Sequence, residues 1–264
     1  MAFMLCSLLN QRIFSPFGAN MNNNFGIKGF ISTSLVDWPG KLCSVVFLAG
    51  CGFRCPACHN PALVLNPGSL PDYPLEEICR SLSNRSKWID GVTVTGGEPT
   101  ARKNLPHLLK ILRKYGVKIK LDTNGSDPQM LEDLISSGLI DAVSMDVKAP
   151  LDSAAYSSVA GVPIDIEVIK RSIALLLRSP IEVTFRTTAI PGLVEEPELA
   201  RIKEALGDAH RFIIQSFRST ETLDPSFMQI REFDRLRVDN MRERFESPAP
   251  KQIAGRRQAC GGLS

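Results

Sequence analysis

Short apolar runs alternate with longer amphipathic ones along most of this chain. Six runs rich in Val, Ile and Phe, each bounded by Gly, Pro or Asp, predict strands at Ser44–Leu48, Val92–Thr95, Lys118–Asp122, Ala142–Asp146, Glu182–Thr187 and Phe212–Gln215. Between them, apolar residues recur at three- and four-residue spacing, as in Leu105, Leu108, Leu109 and Leu112. That spacing predicts helices over Leu75–Ser83, Leu105–Tyr115, Met130–Ser137, Ile164–Arg178 and Pro197–Leu206. Gly116, Gly138 and Gly207 fall just past helix ends, where a left-handed residue is often required. Before the first strand, Gly26–Ile31 and the turn at Trp38-Pro39-Gly40-Lys41 read as an antiparallel lead-in hairpin.

Strands alternating with helices predict an α/β fold whose parallel strands are joined by right-handed crossovers. The sheet is then either open and doubly wound or a partial barrel, and in both cases ligands gather at the C-terminal strand ends. Past Gln215 the pattern weakens. Thr220–Pro225 reads as a loop and Phe227–Phe245 as a helix. Ser247–Ser264 reads as a flexible tail. The expected organisation is a disordered leader over 1–25, a core domain over 26–218 and an extension with its tail over 219–264.

Bulk composition narrows the class. Of 264 residues, 44% are hydrophobic and 22% charged, so a core can form without disulfide or metal support. A net charge of +3 is too small to argue for nucleic acid or an anionic membrane, and neither is expected as partner. No apolar run is long enough to cross a bilayer, and the N-terminal stretch lacks the basic region and cleavage site of a signal peptide. Seven cysteines, three of them within eight residues, do not resemble a disulfide framework, and the expected compartment is a reducing cytoplasm.

Those three, Cys51, Cys55 and Cys58, have the spacing C-x3-C-x2-C. At this cysteine frequency about 0.005 such triples arise by chance in a chain of this length. Structural zinc would need a fourth ligand, and His59 directly follows Cys58. A thioredoxin-like Cys55-x-x-Cys58 pair leaves Cys51 unexplained. An iron–sulfur cubane takes thiolates, and three local ligands leave one iron open to substrate.

Other polar motifs end the predicted strands. Gly96-Gly97-Glu98-Pro99-Thr100 follows the second, with glycines for close backbone approach and Glu98 as acceptor for an ammonium group. Asp122-Thr123-Asn124-Gly125 ends the third strand and Asp146-Val147-Lys148 the fourth. Arg186 lies within the fifth and needs an anion. Gln215 and Phe217, near the end of the sixth, are candidates to touch a ligand, with core and rim packing as the alternative. Cys43 and Cys79 read as small core residues, and His59, His107 and His210 as structural.

With its flanks, the cysteine motif resembles the radical S-adenosylmethionine (SAM) superfamily. Gly29-Phe-Ile-Ser-Thr-Ser-Leu-Val-Asp-Trp-Pro-Gly-Lys41 and Cys55-Pro-Ala-Cys-His-Asn-Pro61 resemble anaerobic ribonucleoside-triphosphate reductase activating proteins of the long class. The Cys-His-Asn ending is also similar to pyruvate formate-lyase activating enzymes. The resemblance spans about Gly26 to Arg218. It implies a partial (β/α)6 TIM-like barrel, a [4Fe–4S] cluster on Cys51, Cys55 and Cys58, and SAM chelated at the open iron. It further implies reductive SAM cleavage to methionine and a 5′-deoxyadenosyl radical, which takes a hydrogen atom from a glycine of a partner enzyme. The implied partner is the anaerobic ribonucleotide reductase and the implied electron donor flavodoxin. Gly96, Gly97, Glu98 and Pro99 are implied to line the SAM amino group. Asp122, Thr123, Asn124 and Asp146 are implied to hold SAM and a monovalent cation, and Lys148 to meet the SAM carboxylate. Arg186 is expected to meet the SAM carboxylate or the substrate peptide, with an ion pair across the barrel as the alternative, and Gln215 and Phe217 to touch adenine or substrate. The alternatives are an activase of another glycyl radical enzyme such as pyruvate formate-lyase, a related enzyme acting on a small molecule, such as a 7-carboxy-7-deazaguanine synthase, and a non-catalytic zinc or redox module.

Overall fold

The computed structural model describes residues 25–207 and 211–248. The expected leader, save Phe25, and the expected tail beyond Pro248 lie outside the described residues, as do Cys6, His210 and Cys260. Seven strands form one sheet in sequential order. They are β1 (Ile27–Ser34), β2 (Cys43–Leu48), β3 (Gly91–Gly96), β4 (Lys118–Thr123), β5 (Ala142–Asp146), β6 (Glu182–Ala189) and β7 (Arg211–Ser216). β1 pairs antiparallel with β2, as the lead-in hairpin requires. β2 to β7 are parallel throughout, giving six barrel strands. The helices are α1 (Pro61–Leu65), α2 (Leu75–Arg85), α3 (Leu105–Arg113), α4 (Pro128–Ser136), α5 (Ser153–Ala160), α6 (Ile166–Leu177), α7 (Glu196–Leu206) and α8 (Arg235–Phe245).

Alternation along the strands divides the protein into two environments. Ile119 and Leu121 of β4, Val143 and Met145 of β5, and Val183 and Phe185 of β6 join the apolar core. The residues between them face a central cavity: Lys120 and Asp122, Ser144 and Asp146, Thr184 and Arg186. An eight-stranded barrel normally fills its centre with branched apolar side chains. Here the centre is polar, and stability comes from the layer between sheet and helices. In α3 the stripe Leu105, Leu108, Leu109 and Leu112 is wholly buried in that layer. Each leucine contributes about 1.5–3 kcal/mol on burial.

Polar side chains set the helix starts. Asp127 accepts a hydrogen bond from the Met130 amide, so α4 begins at Pro128 rather than Met130. Asp165 does the same from Glu167, starting α6 two residues later than its apolar pattern suggests. The helix expected over Phe227–Phe245 is shorter. Glu232 accepts from the Ser219 amide at 2.8 Å and pairs with Arg218 at 2.9 Å, which draws the chain out of helical conformation. Asp234 then caps α8. Helix α5 was not expected, because Ser-Ala-Ala-Tyr-Ser-Ser-Val-Ala carries little apolar periodicity.

The C-terminal segment covers the outer side of β7. The Ile214 amide donates to Glu246 at 2.8 Å, and Arg242 donates to the Ile214 carbonyl at 3.2 Å. Ser247, expected to begin the flexible tail, forms an antiparallel bridge with Phe212.

Candidate active site

The loop after β2 carries the three cysteines, and its backbone is held on three sides. Gly50, at φ +92°, accepts from the Glu98 amide at 2.7 Å. The Arg54 amide donates to the Ala160 carbonyl at 2.8 Å, at the end of α5. A Cβ on Gly161 would lie 2.0 Å from the Arg54 carbonyl oxygen, so α5 abuts this loop with no room for a side chain. On the third side, the Asp224 amide donates to the Pro56 carbonyl, and the His59 imidazole donates to the Arg218 carbonyl at 2.7 Å. His59 also packs beside Phe217, with the rings tilted and 5.9 Å between their centres. Burial pushes the His59 pKa down, which favours the neutral ring.

Cys51, Cys55 and Cys58 all face the central cavity, whose volume is about 340 Å³. The Cys51 sulfur accepts from the Phe53 amide at 3.3 Å and from Asn124 Nδ2 at 3.6 Å. Burial raises all three thiols, Cys51 to about 11. They are therefore protonated when free, and metal binding must expel their protons. Among the described residues, no three His, Cys, Asp or Glu side chains converge as ligands of a single ion. A cubane asks for a different arrangement, in which each thiolate meets its own iron. Cys43 instead receives the Thr93 hydroxyl and Cys79 neighbours Tyr115, so neither joins the group.

The glycines of Gly96-Gly97 have a use beyond ligand access. A Cβ on Gly96, at φ +133°, would meet the Leu48 carbonyl oxygen at 2.1 Å, and one on Gly97 would meet the Gly50 carbonyl oxygen at 2.1 Å. The turn thus lies flush against the cysteine loop while its backbone lines the cavity.

Glu98 departs from expectation. It is 1% exposed and does not line the cavity. Its carboxylate accepts from the Thr100 amide at 3.0 Å, the Thr100 hydroxyl at 2.6 Å, the Thr123 hydroxyl at 2.8 Å and the Asn124 amide at 2.6 Å. Burial raises its pKa against those four donors. These bonds tie the β3 turn to the end of β4. Pro99 is likewise buried, in the short turn Pro99–Ala101.

The expected polar residues at the ends of β4, β5 and β6 do come together. Thr123 and Asn124 line the cavity beside Cys51. The two carboxylates expected to serve a monovalent cation are bridged by Arg186, whose Nε lies 2.8 Å from Asp146 and whose Nη1 lies 3.1 Å from Asp122. Lys148 pairs with Asp146 at 3.1 Å. Burial alone would raise the Asp146 carboxyl, but Arg186 and Lys148 outweigh it and hold it at about 2. Burial alone would lower Lys148, but Asp146 and Cys55 turn the shift upward. Sequence reasoning missed Lys120, Ser144 and Thr184, which line the same wall. Their signal was polarity at every second position of β4, β5 and β6.

The donor set suits the cofactors implied by the motifs. Three thiols on one cavity wall match a cubane with a vacant corner. Exposed glycine backbone beside carboxylate, ammonium and guanidinium groups matches a zwitterionic amino acid.

Comparison with known proteins identifies the class. Residues 45–203 match the model of the radical SAM superfamily, and the chain belongs to that superfamily. It is therefore an enzyme whose cofactors are a [4Fe–4S] cluster and SAM. Among its relatives, a putative glycyl-radical enzyme activating enzyme of Methanocaldococcus jannaschii is 30% identical over 209 residues, covering 77% of this chain and 85% of its own length. The pyruvate formate-lyase-activating enzyme of Clostridium pasteurianum is 27% identical over 218 residues, covering 79% of this chain and 85% of its own length. In fold, Streptococcus suis SuiB bound to precursor peptide SuiA superposes with a TM-score of 0.56 at 17% identity, over 76% of this chain and 44% of that one.

Proposed function

We propose that this enzyme is an activase that generates a glycyl radical on a partner protein, the anaerobic class III ribonucleoside-triphosphate reductase. Cys51, Cys55 and Cys58 bind the cluster and leave one corner open. When bound, the cluster and SAM supply a one-electron reductive cleavage that delivers a 5′-deoxyadenosyl radical. The chain's own contribution is placement. The Gly96-Gly97 backbone and Asp146 receive the SAM ammonium, and Lys148 and Arg186 receive its carboxylate. Thr123 and Asn124 hold the wall beside Cys51. The protein electron donor is a flavodoxin, and the compartment is the cytoplasm. No helix among the described residues is long and apolar enough to cross a membrane.

One observation carries this reading: three thiols and a paired wall of acids and bases face a single cavity. The activase assignment rests further on relatives with that description, matched over most of their length. The test is anaerobic reconstitution with iron and sulfide, then dithionite and SAM, with and without the class III reductase encoded in the same genome. SAM cleavage plus a glycyl doublet in electron paramagnetic resonance is expected. Cleavage without a doublet would move the enzyme to small-molecule chemistry, and a colourless zinc protein would remove the cluster assignment.

A further inference from the structure

Buried hydroxyls in this protein have partners as a rule. Ser44 donates to the Ser32 carbonyl, Ser172 to Gly125, Thr187 to Val147, and Thr123 to Glu98. Charged groups on the cavity wall are equally well served. Lys120 donates to the Asp37 carbonyl at 2.9 Å and pairs with Asp122, which in turn binds Arg186.

Two neighbours break the rule. Ser144 is 3% exposed and Thr184 is 8% exposed, and both line the cavity. Neither hydroxyl has a hydrogen-bond partner among the described residues. They sit opposite each other in the β5–β6 register, on adjacent strands about 4.8 Å apart. Their side chains are largely buried, but the hydroxyls open onto the cavity, where a bound group can meet them. Two side by side, aimed into one space, define a subsite.

Position and charge indicate what fills it. Ser144 and Thr184 lie two residues below Asp146 and Arg186 on the same strands, about 6.6 Å deeper than the charged row assigned to the SAM amino acid. Ser144 and Thr184 carry no charge themselves, so this row suits a neutral polar group rather than an ion. It offers two groups that each donate and accept. Beyond them the cavity runs to Val36, which is 55% exposed, so it opens to solvent at that end. An extended main chain presents alternating N–H and C=O groups. Where its central residue is glycine, no side chain prevents close approach.

We propose that Ser144 and Thr184 form a substrate subsite that hydrogen-bonds the main-chain amides flanking the target glycine of the partner protein. The proposal rests on the activase reading and assigns residues to its substrate side. Its test uses reconstituted holoenzyme and the class III reductase, comparing wild type with Ser144→Ala, Thr184→Val, their double variant, and Thr184→Ser. These replacements preserve volume or the hydroxyl, and cluster content with thermal midpoint checks folding. In the double variant the KM for the reductase should rise about tenfold or more, while the SAM dissociation constant, measured without reductase, stays within about twofold. Thr184→Ser should restore a KM near wild type. An unchanged KM in a folded, cluster-loaded double variant overturns the subsite alone. A SAM affinity that falls with the KM overturns it too, by giving the hydroxyls to SAM. A wild-type enzyme that cleaves SAM but raises no doublet removes the activase reading itself.

Discussion

Replacing Glu98 by Gln distinguishes a structural carboxylate from a ligand-binding one. Oε1 of Glu98 accepts from three donors, Thr100 N, Thr100 Oγ1 and Thr123 Oγ1, while Oε2 accepts from Asn124 N. An amide retains most bonds by keeping its oxygen at the three-donor corner, which turns its NH2 against the Asn124 amide. One hydrogen bond to a charged acceptor is lost, and a buried N–H is left facing another donor. Together these cost about 3 kcal/mol. Burying a neutral amide instead of a carboxylate returns part of that, because burial already disfavours the charge of Glu98. The net loss is about 2 kcal/mol, which lowers the melting temperature of a protein this size by about 4–8 °C. Scanning calorimetry of the cluster-free, reduced protein reads it directly. The Asn124 side chain touches the Cys51 sulfur, so the variant should also retain less iron after reconstitution. A melting temperature within about 1 °C of wild type, combined with a tenfold weaker SAM affinity, would refute the reasoning.

Cys55→Ala should abolish both cluster assembly and SAM cleavage, measured as iron content and 5′-deoxyadenosine release. Since burial raises all three thiols, cluster assembly in wild type should accelerate steeply between pH 7 and pH 9, by up to about tenfold per unit, in stopped anaerobic reconstitutions. Asp146, held at about 2, contributes stability above its unfolded pKa, and this is lost as pH falls from there through about 2. Urea unfolding of cluster-free protein at neutral and strongly acidic pH should therefore show wild type losing about 2 kcal/mol more than Asp146→Asn. In Gly97→Ala, the new Cβ collides with the Gly50 carbonyl, and we expect about 1–3 kcal/mol of destabilisation by calorimetry and poorer cluster retention.

Strand positions were legible because β2 to β7 carry apolar residues toward the helices at every second position. The motifs at their ends were legible because loops after parallel strands collect ligand chemistry. What escaped had weak local signals. Helix α5 is rich in Ala and Ser and is defined by its fit against the Arg54 backbone, a long-range contact. Sequence placed Glu98 in the cavity by motif alone. Its actual orientation depends on donors from β4, more than twenty residues away, that no local pattern announces. Arg186 was expected to need an anion, and of the partners weighed for it the ion pair across the barrel is the one present. Two carboxylates from neighbouring strands meet that need. Ser144 and Thr184 looked like ordinary strand residues until the register set them together.

The clasp on the last strand bears on how this enzyme meets other proteins. A bare strand border is a template onto which any extended chain can zip, including another copy of the same molecule. Here Glu246, Arg242 and Ser247 have already taken the main-chain positions at Ile214 and Phe212 that such a zipper would need. The six-membered parallel array therefore cannot grow at that flank. At that flank a macromolecular visitor has to recognise the enzyme through side chains, and cutting the chain before α8 would expose an adhesive border.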